Sequence, residues 1–339
     1  VVKFGGTSVA SAENRARAIG HIRTLRQQGM DVVAVVSAMG RRGQPYATDT
    51  LLELVGPDCA PATRDLLMSC GETLSACVLA DQLSRSGIHA CAMTGPEAGL
   101  RTDGAFSAAR VTGMDPQPVR QALEQGLVPV IAGFQGAGPD GRVTTLGRGG
   151  SDTSAVEIGG YLGAAEVVIF TDVPGVAKAD PRIWPEAPYI KEIDSGDMLA
   201  LARWGAGVIH PRAVEAGVRH GVPVRVRSTF DGLPGTVIRP LAEKPGGFIG
   251  AAMLRRCGVS QKETGFALPG CDFRLVPESG KTAVITVLCR PLGEPSELLR
   301  GLPAGAEVFR EGELVHLLLS DAEVSGFLRV LCRRLACSD

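Results

Sequence analysis

An α/β fold built on a largely parallel sheet and followed by a smaller α+β domain is what this sequence predicts, on three observations. Short β-rich apolar runs alternate with amphipathic helical segments through residues 1–239, the order that builds βα units. A stretch rich in Pro and Gly and without hydrophobic period, PLAEKPGG at 240–247, then interrupts the pattern as a linker. Beyond it, residues 248–339 change to a compact succession of strands and helices, an α+β module. With 339 residues, 45% of them apolar, the chain exceeds one ordinary core, so two domains are expected.

Taken in order, the strands expected in the first region are 1–4, 31–37, 89–93, 128–134, 167–170 and 224–227. The chain opens inside the first of them, so a few residues are expected to precede it. Between the first two, Ser11 stands where an N-cap belongs. Ala18, Ile22 and Leu25 recur at i, i+4 and i+7, on one face of a helix that Gly29 ends. A second helix is expected over 62–84. In the C-terminal region strands are expected at 248–254, 282–288 and 313–319, and helices at 295–302 and 321–336.

Charge and cysteine usage narrow the partners. Lys and Arg (35) balance Asp and Glu (36) to a formal charge of -1, which offers no basic field for nucleic acid and no polybasic membrane anchor. Nothing approaches the run of about 18 apolar residues that a spanning helix needs, and no signal-peptide pattern opens the chain, so a cytoplasmic protein acting on small molecules is expected. Nine cysteines, odd in number and without a C-x-x-C pair, indicate reduced thiols rather than a disulfide framework or zinc site. The five histidines show no metal spacing.

Four segments carry possible chemistry. Lys3-Phe4-Gly5-Gly6-Thr7-Ser8-Val9 puts a lysine at a strand end and a glycine pair in the turn to a helix. Such a turn lets backbone approach phosphate oxygens while the lysine supplies charge, although a glycine turn beside a lysine is also common without function. Gly147-Arg148-Gly149-Gly150-Ser151-Asp152 runs a glycine loop into a helix that Ser151 can cap, aiming amides and the positive helix end at an anion. There Arg148 could clamp a carboxylate, and Asp152 could hold an ammonium or order a metal-bound phosphate; a plain tight turn is the alternative. Thr171-Asp172-Val173-Pro174-Gly175 and Ala179-Asp180-Pro181-Arg182 follow a strand, where a nucleotide contact and an ordinary turn are equally compatible. Glu72 sits in a helical run of small residues and needs a partner, a substrate ammonium or a structural arginine; the residues alone favour the arginine. Gly280-Lys281-Thr282 and the 205–210 segment imitate nucleotide motifs but lack the required glycines.

In combination, KFGGTSV at 3–9, VVSAM at 35–39, ATDTLL at 47–52, Ser69 to Ser75, Thr94-Gly95, GRGGSD at 147–152, TDVPGV with ADPR, and VRSTF at 226–230 occur in the order and spacing of aspartate kinases. The sequence therefore resembles the aspartate kinase family over residues 1–239, and the resemblance implies the amino-acid kinase fold. It further implies ATP and Mg2+ as cofactors and L-aspartate as substrate. The product would be 4-phospho-L-aspartate, which leads toward lysine, threonine and methionine. By matching position, Lys3 would stabilise the transferring phosphoryl group, and Gly5, Gly6 and Ser37 would surround the phosphates. Thr48, Glu72 and Arg148 would form the amino-acid site, with Arg148 on the α-carboxylate and Glu72 on the α-ammonium. Ser151 and Asp152 would bridge substrate and phosphates, and Thr171, Asp172 and Arg182 would serve the nucleotide.

Two departures from the family pattern stand out. Gly207 occupies a position that usually carries a nucleotide-binding lysine, and Lys178 is either its replacement or a solvated surface lysine. Residues 248–339 accommodate one ACT-like regulatory unit, or two fragments, where the family carries two. Weak or absent feedback inhibition is the expectation that follows, and the resemblance implies a homodimer.

Overall fold

The computed structural model describes residues 1–260, 266–267, 274–276, 281–290 and 300–336. In chain order, residues 1–175 form β1 (Val2–Phe4), α1 (Gly6–Val9), α2 (Ala12–Gln27), β2 (Ala34–Val36), α3 (Thr48–Leu52), α4 (Pro61–Arg85), β3 (Ala90–Met93), β4 (Leu100–Thr102), β5 (Val111–Met114), α5 (Gln117–Glu124), β6 (Val128–Ala132), β7 (Gln135–Ala137), β8 (Val143–Thr145), α6 (Gly150–Leu162) and β9 (Val167–Thr171). Residues 176–208 give β10 (Glu192–Asp194) and α7 (Ser195–Arg203), and 209–239 give α8 (Pro211–His220), β11 (Val224–Ser228) and β12 (Thr236–Arg239). The remainder forms β13 (Gly247–Ser260), β14 (Phe266–Ala267), β15 (Arg274–Val276), β16 (Thr282–Arg290), β17 (Glu307–Glu311), β18 (Leu314–Ser320) and α9 (Val324–Ala336).

Two compact units result, one of residues 1–175 and 209–239, the other of 176–208 and 240–339. Residues 176–208, which the sequence pattern groups with 1–239, thus pack with the C-terminal region. The expected linker also has an anchored residue, because Lys244 pairs with Asp194 at 2.9 Å and Asp197 at 3.4 Å, both from the 176–208 segment.

The first unit holds its strands in the order β12-β11-β9-β1-β2-β6-β3. All neighbours are parallel except the β11–β12 pair. Strands β1, β2 and β6 bury every residue, as expected of a parallel sheet covered by helices. Helix α2 begins where expected, with the Ser11 hydroxyl accepting the Asn14 N–H at 3.1 Å, and buries Ala18 and Ile22. Helix α4 buries Ala76, Leu79, Ala80 and Leu83 into the same core, and each fully buried leucine contributes about 1.5–3 kcal/mol. The six expected strands are all present, each within a few residues of its expected bounds. A second small sheet, β5-β4-β7-β8, has no counterpart in the sequence pattern.

The second unit is an antiparallel sheet in the order β14-β15-β13-β16-β18-β17. Ala283, Ile285 and Val287 of β16, with Val315, Leu317 and Leu319 of β18, alternate toward one face and pack with Leu328 and Leu331 of α9. The helix expected at 295–302 falls largely on residues outside those described. Among the described residues, no helix is long and apolar enough to cross a membrane.

Candidate active site

Open α/β sheets bind ligands beyond the carboxyl ends of their parallel strands, and here those ends carry the sequence's most distinctive residues. The chain leaves β1 into Gly5-Gly6, β2 into Ser37 and β6 toward Phe134. Around them lies a cavity of about 620 Å³ within the first unit. Lys3, Gly6, Ser37, Thr48, Glu72, Arg148, Ser151 and Asp152 all line it. Gly5, Thr171, Asp172, Lys178 and Arg182 are not among the lining residues.

Lys3 is the last but one residue of β1, and its ammonium meets Asp152 Oδ1 at 2.7 Å, with side chains only 10% and 15% exposed. Shielded from water, this ion pair stands at the cavity wall with its electrostatic interaction little screened. Gly6 follows at the start of α1, where an added Cβ would lie 2.6 Å from the Gly40 carbonyl oxygen and 2.8 Å from that of Ala38. Only glycine allows this approach of two backbones. Gly5, read from the sequence as a phosphate donor, gives its N–H to the Phe170 carbonyl at 3.1 Å.

Helix α6 opens into the cavity without a side-chain cap. Gly149, at φ +70°, is the N-cap residue, so Ser151 lies within the first turn rather than capping it as expected. The reason is steric and conformational: the left-handed turn at Gly149 sets the entry angle, and a Cβ there would strike His210 at 2.3 Å. The first helical turn, with Ser151 and Asp152, still presents the positive helix end to the cavity. Arg148, just before it, is exposed and has no hydrogen bond or ion pair among the described residues.

Glu72 projects from α4 and is 3% exposed. One carboxyl oxygen accepts the Ala38 N–H at 3.0 Å, and Oε2 has no partner among the described residues. The structural arginine favoured from the residues alone is absent among the described contacts. Burial pushes the Glu72 carboxyl up to about 8, opposed by the Ala38 hydrogen bond and the charge of Lys3. A buried carboxyl with one unused oxygen, facing a cavity, fits a ligand that brings its own positive charge.

Other cavity residues escaped sequence reasoning. Arg41, Arg42 and Arg64 add cationic charge to the lining, and Ser107, Phe134 and Thr145 also contribute. Arg41 bonds Thr7 Oγ1 at 3.2 Å and pairs with Asp172. The doubled arginine between Gly40 and Gly43, in the loop that follows β2, is a usable signal. Ser107 (φ +64°) and Phe134 (φ +70°) are the two non-glycine residues with positive φ among those described, and both line this cavity. Backbone strain of this kind concentrates at functional sites. In the second unit, the Lys178 ammonium lies 5.4 Å from the Phe248 ring centre, and Arg182 pairs with Asp180 at 2.7 Å.

Residues 1–228 match the model of the amino acid kinase family. Aspartokinase 1 of Bacillus subtilis is 46% identical over 241 residues, covering 70% of this chain and 60% of that protein. An aspartokinase of Thermus thermophilus is 44% identical over 245 residues, covering 71% and 59%. The chain thus spans about 60% of the length of the curated relatives it matches. In fold it is similar to the crystal structure of E. coli aspartokinase III in complex with aspartate and ADP, with a TM-score of 0.78 at 21% identity, covering 98% of this chain and 99% of that one. With two thirds of its length matching the family model and its fold shared with a solved aspartokinase, the chain belongs to the amino acid kinase family.

Proposed function

We propose that this protein phosphorylates the side-chain carboxylate of L-aspartate, using ATP to make 4-phospho-L-aspartate and ADP. The observation that carries the reading is the meeting of Glu72, with its unused buried oxygen, and unpaired Arg148 in one cavity with the Lys3–Asp152 pair. A free amino acid answers both ends of that arrangement, its ammonium to Glu72 and its α-carboxylate to Arg148. Thr48 and Ser151 add hydroxyl groups beside the same substrate. Relatives named aspartokinase, and the related structure holding aspartate and ADP, support the same choice.

The chemistry asks little of the protein beyond position and charge. Aspartate's side chain ionises near pH 4, so at neutral pH it is already a nucleophile and needs no general base. An oxygen of that carboxylate forms a bond to the γ-phosphorus as the bridging P–O bond breaks, and the electron pair leaves on ADP. Lys3 offsets the charge on the phosphoryl oxygens, and Asp152 keeps the ammonium in place. Gly6 and Ser37 surround the phosphates, while Thr171, the last residue of β9, and Asp172 after it serve the nucleotide. Among the described residues, no group of three or more His, Cys, Asp or Glu could hold a metal ion. Mg2+ would therefore be held mainly by the nucleotide phosphates, with Asp152 as the nearby carboxylate, and would supply further charge neutralisation.

Trapping the acyl phosphate with hydroxylamine tests the reading. Aspartyl hydroxamate should accumulate from L-aspartate with MgATP; a product formed only from another acid would show the substrate assignment to be wrong. Arg148→Ala should raise the KM for aspartate about tenfold or more with a smaller change in kcat, because a charged bidentate contact is lost.

A further inference from the structure

Asp65 lies on α4, is fully buried, and does not line the cavity. Its carboxylate accepts three hydrogen bonds: Oδ2 from the N–H of Ser107 at 2.9 Å and from the N–H of Thr145 at 2.6 Å, and Oδ1 from the Ser107 hydroxyl at 2.9 Å. Both partners belong to the cavity wall, and Ser107 is one of its two strained residues. Thr145 ends β8 three residues before Arg148, and its carbonyl accepts the Ala109 N–H at 2.9 Å, joining the 107–109 segment to the arginine loop. From the other side, Arg212 of α8 donates to the Leu146 carbonyl at 3.0 Å and the Ala109 carbonyl at 3.4 Å. The Leu146 N–H is taken by the carbonyl of Phe134, the other strained residue, at 2.8 Å. Gly147 packs closely under Ser107, since a Cβ there would come within 2.8 Å of the Ser107 carbonyl oxygen.

We infer that Asp65 is a positioning residue for Arg148, holding the start of the glycine loop at the geometry in which the guanidinium receives the substrate carboxylate. A buried carboxylate satisfied by three donors from two separate segments fixes those segments relative to α4, the helix that also carries Glu72. Asp65 thereby sets the spacing between the two ends of the amino-acid site without touching substrate. This rests on the assignment of Arg148 to the amino-acid carboxylate.

The test is a double-mutant cycle between Asp65→Asn and Arg148→Ala, read as KM for aspartate and KM for ATP separately. Asparagine keeps the shape of Asp65 but cannot accept from both backbone N–H groups and the hydroxyl at once. Asp65→Asn should raise the aspartate KM about tenfold while leaving the ATP KM within about twofold, the scale of one lost charged hydrogen bond. In the Arg148→Ala background the same substitution should change the aspartate KM by less than about twofold, because two residues serving one role are non-additive. An unchanged aspartate KM in Asp65→Asn, or an equal factor in both backgrounds, overturns the inference. Ser107→Ala deletes only the hydroxyl bond and should show the same pattern at about threefold if Asp65→Asn does not fold. A wild-type aspartate KM in Ser107→Ala would then overturn it. Arg148→Ala with a wild-type aspartate KM would instead overturn the substrate reading, and the inference with it.

Discussion

Asp65 and Glu72 are carboxylates on the same helix, two turns apart and both buried, yet they do opposite things. Asp65 is saturated, with three donors from the chain itself. Glu72 has one backbone donor and an oxygen without a partner among the described residues, and its carboxyl is pushed up to about 8 by burial. Burial alone therefore does not mark a binding group. What distinguishes the two is how many donors the fold supplies: a carboxylate fully supplied holds architecture together, and one left short waits for a ligand to complete it.

If that distinction is right, full removal of Asp65 should cost chiefly stability, and removal of the Glu72 charge chiefly substrate binding. Asp65→Ala removes the acceptor of the buried Thr145 N–H and of the part-buried Ser107 N–H and hydroxyl, and should lower unfolding stability by about 2 to 4 kcal/mol in denaturant titration. Glu72→Gln should retain its fold but raise the aspartate KM about 100-fold, since it loses a charge-assisted contact to the ammonium in a desolvated site.

At high pH it should even be more stable than the wild type. The folded-state carboxyl titrates near 8, above the 4.5 of a free one, so the folded chain keeps a proton that the unfolded chain releases. Wild-type stability must then fall as pH rises from about 4.5 to about 8. Glu72→Gln has no such proton, so its Tm should exceed that of the wild type at about pH 9 and differ little at about pH 5. A lower Tm at the higher pH would show that the Glu72 carboxylate is stabilised by something other than a ligand.

The smallest effect expected is in the pH profile of binding. Below about 8, ammonium binding has to expel the Glu72 proton, so the aspartate KM should drop by about 25-fold between about pH 6.5 and about pH 8.5. The Glu72→Gln profile should be flat over that range.

Reading from sequence succeeds where the signal is local. The apolar runs of β1, β2 and β6 and the Ser11 cap of α2 are written in adjacent residues, and the glycine loops around Lys3 and Arg148 announce themselves by composition. It fails where structure depends on distant partners. Strands β4, β7 and β8 are three residues each, too short to show a period, and exist through their pairing with one another. Asp65 finds its acceptor role with donors 42 and 80 residues away, and no pattern near Asp65 hints at either. Serine favours the cap position, which points to Ser151, whereas the left-handed turn at Gly149 moves the cap two residues earlier. For Glu72 the residues alone leave two possible partners, and whether an arginine reaches it depends on residues far along the chain; among the described residues its second oxygen has no partner.

In the proposed site Glu72 receives the amino-acid ammonium, and its carboxyl must ionise to do so. Calorimetric titration of L-aspartate into the protein at pH 7, repeated in buffers of different ionisation enthalpy, measures the protons exchanged on binding. Because Glu72 is largely protonated there, wild-type binding should release about one proton, and Glu72→Gln should bind weakly and release none. Aspartate binding that releases no proton, with Glu72→Gln binding as tightly as the wild type, would contradict the account.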